Sequence, residues 1–66
     1  MSIAKTIEIV AASTKGVEDA VQHGVAKVGE TINRIEGVWV KDVKGVVSDN
    51  KVSEWRVTLA VTFIVD

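Results

Sequence analysis

Few side chains in this 66-residue chain have the chemistry to act on a ligand, and they are easily surveyed. His23 is the sole histidine. On a helical wheel it lies away from the apolar stripe, as a solvated residue does, and it lacks the convergent partners a metal site requires. The carboxylates Glu18, Asp19 and Glu30 fall on the same exposed side of that wheel, where solvation is the default. Ser13 reads as a helix cap, because nothing near it in sequence resembles a general base. Gly24 and Gly29 occur without a GxxxxGK[ST] or GxGxxG pattern, and no HExxH or EF-hand motif is present. No catalytic residue and no metal ligand is therefore assigned, and the chain is not expected to be an enzyme. Trp39 and Trp55 remain as surfaces on which a flat ring could stack, with Arg56 and Lys44 as cations for a phosphate or carboxylate.

Composition narrows the classes. Eight basic and nine acidic residues give a formal net charge of −1, which argues against a nucleic-acid binder. No cysteine is present, so disulfides, thiolate chemistry and cysteine metal sites are excluded. A chain so short and free of disulfides suits the cytoplasm. No secretory signal is visible, and no stretch reaches the roughly 18 apolar residues of a membrane span. Hydrophobic content of 47% without proline predicts one ordered domain over residues 1–66. So small a core usually needs a staple, and oligomerisation is the one still open.

The elements that must position these groups follow from the periodicity. Ile3–Val10 is a strand in which Ile7 and Ile9 point one way and Thr6 and Glu8 the other. Val17, Val21, Val25, Val28, Ile32 and Ile35 form one helical stripe, so a helix is expected from Val17 to Ile35 with Ser13 as N-cap and Gly37 as stop. Gly24 lies within the stripe, where its lack of a side chain lets the helix approach another backbone. Val38–Val47 is a second strand and Ser48-Asp49-Asn50-Lys51 a hairpin turn. From Val52 to the end, Trp55, Val57, Leu59, Val61, Phe63 and Val65 alternate with Arg56, Thr58, Ala60, Thr62 and Ile64. The fold class is α+β in the order β-α-β-β, with the third strand in the middle of the sheet.

Length then becomes decisive. Fourteen strand residues span roughly 46 Å, while a helix of about 20 residues spans about 30 Å. The sheet must curl or outrun its helix, leaving apolar surface for neighbouring copies to cover. With Asp49 and Asn50 as the turn, Val38 and Val40 share the helix face with Val61 and Leu59. The opposite face carries Gly37, Trp39, Lys41 and Val43 beside Arg56, Thr58, Ala60 and Thr62. Trp55 belongs to the helix side. Trp39 has no helix to cover it, so a subunit or a ligand must.

Several stretches carry a resemblance. Ile7-Glu8-Ile9-Val10 followed by Ser13, Gly16 and Val17-Glu18-Asp19-Ala20-Val21-Gln22, then Val40-Lys41-Asp42-Val43-Lys44-Gly45, then Trp55-Arg56-Val57-Thr58-Leu59-Ala60-Val61-Thr62-Phe63, resemble the dodecins without a gap from Ile7 to Phe63. Dodecins are small flavin-binding proteins that assemble into hollow homododecamers. The resemblance implies a three-stranded antiparallel sheet half-wrapped round one helix, and a homo-oligomer that stores or sequesters a flat aromatic ligand such as riboflavin, FMN, FAD or lumichrome. It places the ligand site at Gly37, Val38, Trp39, Lys44 and Arg56. In that family a tryptophan stands at the position of Gly37 and a flavin-contacting glutamine at that of Arg56. Trp39 shares the face of Gly37 about 6.6 Å further along, a displaced stacking surface. The alternatives are a shell of the same fold that has lost flavin, or one that takes another anionic or nucleotide ligand through Arg56 and Lys44.

Overall fold

The computed structural model describes residues 1–65; Asp66, at the end of the expected third strand, lies outside the described residues. The elements run β1 (Ile3–Ser13), α1 (Val17–Gly29), β2 (Ile35–Ser48) and β3 (Lys51–Val65). They form one antiparallel three-stranded sheet in the order β1-β3-β2, with the longest strand in the middle as its apolar alternation required. The molecule measures 51 × 19 × 13 Å. The sheet does not curl back on itself; it outruns its helix.

One face of β3 carries the core. Val57, Leu59 and Val61 are fully buried, and Ala20 and Val28 of α1 pack on them, with Ile7, Ile9, Ala11, Val17, Val21, Ile32 and Ile35 around the margin. The helix buries Ala20, Gly24 and Val28, one residue per turn of a four-residue spacing. A valine stripe flanks this line instead of forming its centre. Small residues lie at the middle because the helix is close to the sheet: a Cβ on Gly24 would stand 2.8 Å from Leu59 Cδ1, 3.2 Å from Ala11 Cβ and 3.3 Å from Ile9 Cδ1.

Both ends of the helix correct the expectation from sequence. It stops at Gly29, not Ile35, because the amides of Thr31 and Ile32 both turn back to the Val28 carbonyl. Arg34 then adopts a positive φ of 63°, and Ile35 enters β2 opposite Phe63. Ile32 and Ile35 still reach the core, from a loop and a strand. Gly37 is therefore a strand residue paired with Thr62 and stops no helix. At the other end the N-cap is Gly16, at φ 153°, without a side-chain cap bond.

Ser13 ends β1 and forms a clasp across the turn. Its Oγ accepts from the Lys15 amide at 2.9 Å and donates to Asp19 Oδ2 at 2.6 Å. Asp19 is thus engaged, and not simply solvated. The hairpin is as expected: Asp49 and Asn50 both take positive φ, 53° and 61°, and Ser48 faces Lys51. Such a pair of left-handed residues is the turn whose twist matches its strands.

Gly24 and Gly29 separate close packing from helix propensity. Gly24→Ala should lower stability by about 1–3 kcal/mol, because Leu59 must yield to the new methyl. Gly29→Ala meets only Ile35 Cδ1 at 3.9 Å and should be neutral or stabilising by up to about 1 kcal/mol. Denaturant midpoints of the two variants measure both; equal losses would refute the close approach at Gly24.

Candidate functional site

The sheet face turned away from α1 is built from cross-strand rows. Across β1, β3 and β2 these are Thr6–Thr62–Gly37, Glu8–Ala60–Trp39, Val10–Thr58–Asp42 and Ala12–Arg56–Lys44. Of the residues singled out in the sequence, Gly37, Trp39, Lys44 and Arg56 share this outer face. Val38 does not: it pairs with Val61 on the helix side. Trp55 also lies on the helix side, half-buried, with its ring 3.4 Å from where a Cβ on Gly45 would stand.

Three register shifts in the β2–β3 ladder decide who faces outward. Glu36 and Lys41 on β2, and Ser53 on β3, have no partner opposite them. The shifts at Ser53 and Lys41 cancel, so Val38, Trp39 and Val40 stand where an unbroken hairpin would put them. Between the two bulges the register moves by one residue. Val43 consequently faces Val57 on the helix side instead of joining Arg56 outside, while Lys44 comes opposite Arg56.

Trp39 is 64% exposed, and no helix covers it. Beside it Gly37 leaves a gap, since a Cβ there would meet nothing within 4 Å. The floor is made of small residues: Thr6 and Thr62 share a hydroxyl hydrogen bond of 3.0 Å, and Ala60 is buried between the strands. Lys41 arches over this floor. Its Nζ lies 5.4 Å from the centroid of the Trp39 ring and donates to Glu8 Oε2 at 2.8 Å. At the neighbouring cationic row, Arg56 Nε donates to Glu54 Oε2 at 2.6 Å, and among the described residues Lys44 has no ion pair.

The sequence reading did not include Lys41 or Glu8 in the site. The alternation placed both on the outer face. What it lacked was the β1–β3 register, which sets Glu8 opposite Ala60, and the bulge at Lys41, which lets the lysine reach across that small side chain.

A second cluster joins Ser13, Asp19 and His23. His23 Nδ1 lies 3.2 Å from the Asp19 oxygen that Ser13 also holds. The residue types suggest a nucleophile and its base, but the order is wrong: the carboxylate lies in the middle, and Ser13 donates to Asp19, not to His23. The result is a clasp at the start of α1. The Ser13 hydroxyl, with the nearby His23 and Lys15, holds the Asp19 carboxyl below its ordinary value. Among the described residues, no cluster of three or more His, Cys, Asp or Glu side chains could hold a metal. No helix among them is long and apolar enough to cross a membrane.

The dodecin family model matches residues 3–66. The chain belongs to the dodecin family. A dodecin of Thermus thermophilus is 32% identical over 59 residues, which are 89% of this chain and 86% of the relative. The crystal structure of an arginine-to-alanine variant of T. thermophilus dodecin superposes with a TM-score of 0.94 at 29% identity, over 100% of this chain and 98% of that one. The dodecin of Streptomyces davaonensis superposes with a TM-score of 0.92 at 28% identity, over 98% and 96%. The β-α-β-β order and central third strand are thus those of dodecins.

Because the Asp19 value is lowered on folding, the clasp stabilises the fold above about pH 4 and loses that contribution as pH falls through the lower folded value. Ser13→Ala removes the main cause, so its stability should decline less steeply between about pH 4 and pH 2 than that of the parent. Urea midpoints across that range check it, and parallel profiles would mean that Ser13 does not set the Asp19 charge.

Proposed function

We propose that this protein is a non-enzymatic, homo-oligomeric binder of flat aromatic ligands, with flavin (riboflavin, FMN, FAD or lumichrome) as the first candidate. The protomer acts as a single domain in the cytoplasm and assembles into a shell, as a dodecamer if it follows its family. The observation that carries the reading is Trp39, an indole exposed on an unpartnered sheet face beside the open position at Gly37. An aromatic left in water gains about 0.5–1.5 kcal/mol from a stacked ring beyond the burial itself.

Assembly has its own support. Along the helix side of the hairpin, Val38, Val40, Val43, Val47 and Val52 are all exposed. An apolar strip continuing beyond the helix is what a neighbouring copy covers in an obligate oligomer. Gel filtration with light scattering should find a multiple of the 7.1 kDa chain, and a stable monomer at micromolar concentration would defeat the reading.

In the proposed site, the ring lies against Trp39 and over the Gly37 gap. Lys44, without an ion pair among the described residues, takes a phosphate or ribityl oxygen. Arg56 is committed through Nε to Glu54 and keeps its other nitrogens for the ligand. Val38 supports the strand from the opposite side through its pairing with Val61. This arrangement holds a ligand and moves no proton.

Flavin fluorescence titration tests it. Uptake in proportion to protomers is expected, with Trp39→Ala weakening it by about tenfold or more. Gly37→Trp should strengthen uptake by a similar factor, since the added side chain meets open space. One observation favours a second reading, a shell without flavin affinity: the two positions corresponding to the family's flavin contacts carry Gly37 and the Glu54-paired Arg56. No quenching by any flavin, in the parent or in Gly37→Trp, would establish that reading.

A further inference from the structure

Lys41 occupies the surface that a stacked ring would need. It is held over the Trp39 indole by Glu8 from the far strand, a bridge that crosses β3 above Ala60. Lys41 sits at the β2 bulge, where it has no residue opposite it and so is free to lean across the sheet. The pair is partly solvated, with side-chain exposures of 37% for Lys41 and 57% for Glu8, and exposed pairs of this kind are weak enough to be exchanged. Other charges on this face include Asp42 opposite Thr58, Lys44 and Arg56 in the next row, Glu54 on Arg56, and Lys51 at the turn end.

We infer that Lys41 is a charge-selecting residue of the Trp39 face, admitting anionic flat ligands in preference to neutral ones of the same shape. A neutral ring must displace the ammonium from the indole and offers it no negative charge in return. An anionic ring or side group takes Lys41 over from Glu8, so the attraction lost at the carboxylate is recovered at the ligand. Glu8 acts as the competitor that keeps Lys41 in place when no anion is present. The inference refines the site proposed above and rests on that reading for its flavin ligands, but the charge effect on Trp39 itself is separable.

The experiment therefore has two arms, each run on the parent, Lys41→Met and Glu8→Gln. In the first, Trp55→Phe leaves Trp39 as the only indole, and its fluorescence is quenched with iodide and with neutral acrylamide. At low salt the iodide-to-acrylamide ratio should fall about twofold in Lys41→Met, the scale of one screened charge near the ring. It should rise in Glu8→Gln, where the ammonium loses its counter-charge. In the second arm riboflavin and FMN, which share a ring and differ by a phosphate, are titrated. The FMN preference should shrink by a similar factor in Lys41→Met and grow in Glu8→Gln.

Opposite movements in the two variants support charge selection, since a structural disturbance would move both the same way. An iodide ratio equal in all three proteins, or shifted in one direction by both variants, overturns it. If neither flavin binds, the flavin reading falls and the iodide arm alone decides the role of Lys41.

Discussion

A helix of thirteen residues spans about 20 Å, and the sheet beneath it extends along most of a molecule 51 Å long. That mismatch is the constraint from which the other features follow. The helix can cover one stretch of β1 and β3, and it does so at close range because Ala20 and Gly24 put no bulk between it and Leu59. Beyond its ends the apolar face of the hairpin is open. A core this small gains what it can from tight packing where it is covered, and leaves the remainder as surface for association.

The outer face shows how a strand ladder can be edited without being lost. The shift at Ser53 and the shift at Lys41 are opposite in sense, so from Gly37 to the turn the register is displaced only between them. The first change brings Lys44 opposite Arg56 and sends Val43 to the helix side. The second returns Trp39 to the row of Ala60 and Glu8 and frees Lys41 to lean over it. Two bulges therefore set both the cationic row and the indole with its ammonium. Membership of the dodecin family accounts for the scaffold, and these side chains are what this chain builds on it.

Much of the fold was legible because β3 is so regular. Its alternation from Trp55 to Val65 identified a central strand, and Asp49-Asn50 set the register that Val38 and Val40 keep with Val61 and Leu59. The helix boundary was not legible, because Ile32 and Ile35 continue the apolar spacing although they reach the core from a loop and a strand. Periodicity reports which residues are buried and is silent on the backbone that delivers them. Ser13 was misread for a related reason: its hydroxyl does bind turn amides, but from the end of a strand, with Asp19 as its acceptor. Of the candidate site, Gly37, Trp39 and Arg56 were legible on the outer face and Val38 on the helix side, whereas Lys44 reaches the outer face only through the bulge at Ser53, in the place the alternation assigned to Val43.

By itself the sequence determined the element order, the hairpin turn, the face on which each tryptophan lies, and the excess of strand over helix. These are local or period-two properties, written in the spacing of side chains along one strand. The tertiary structure alone decided that Glu8 and Lys41 meet over Ala60 and that Lys44 stands opposite Arg56. Those contacts join residues 33 and 12 positions apart, and they depend on the register between strands and on bulges, which leave no mark in the alternation of any single strand.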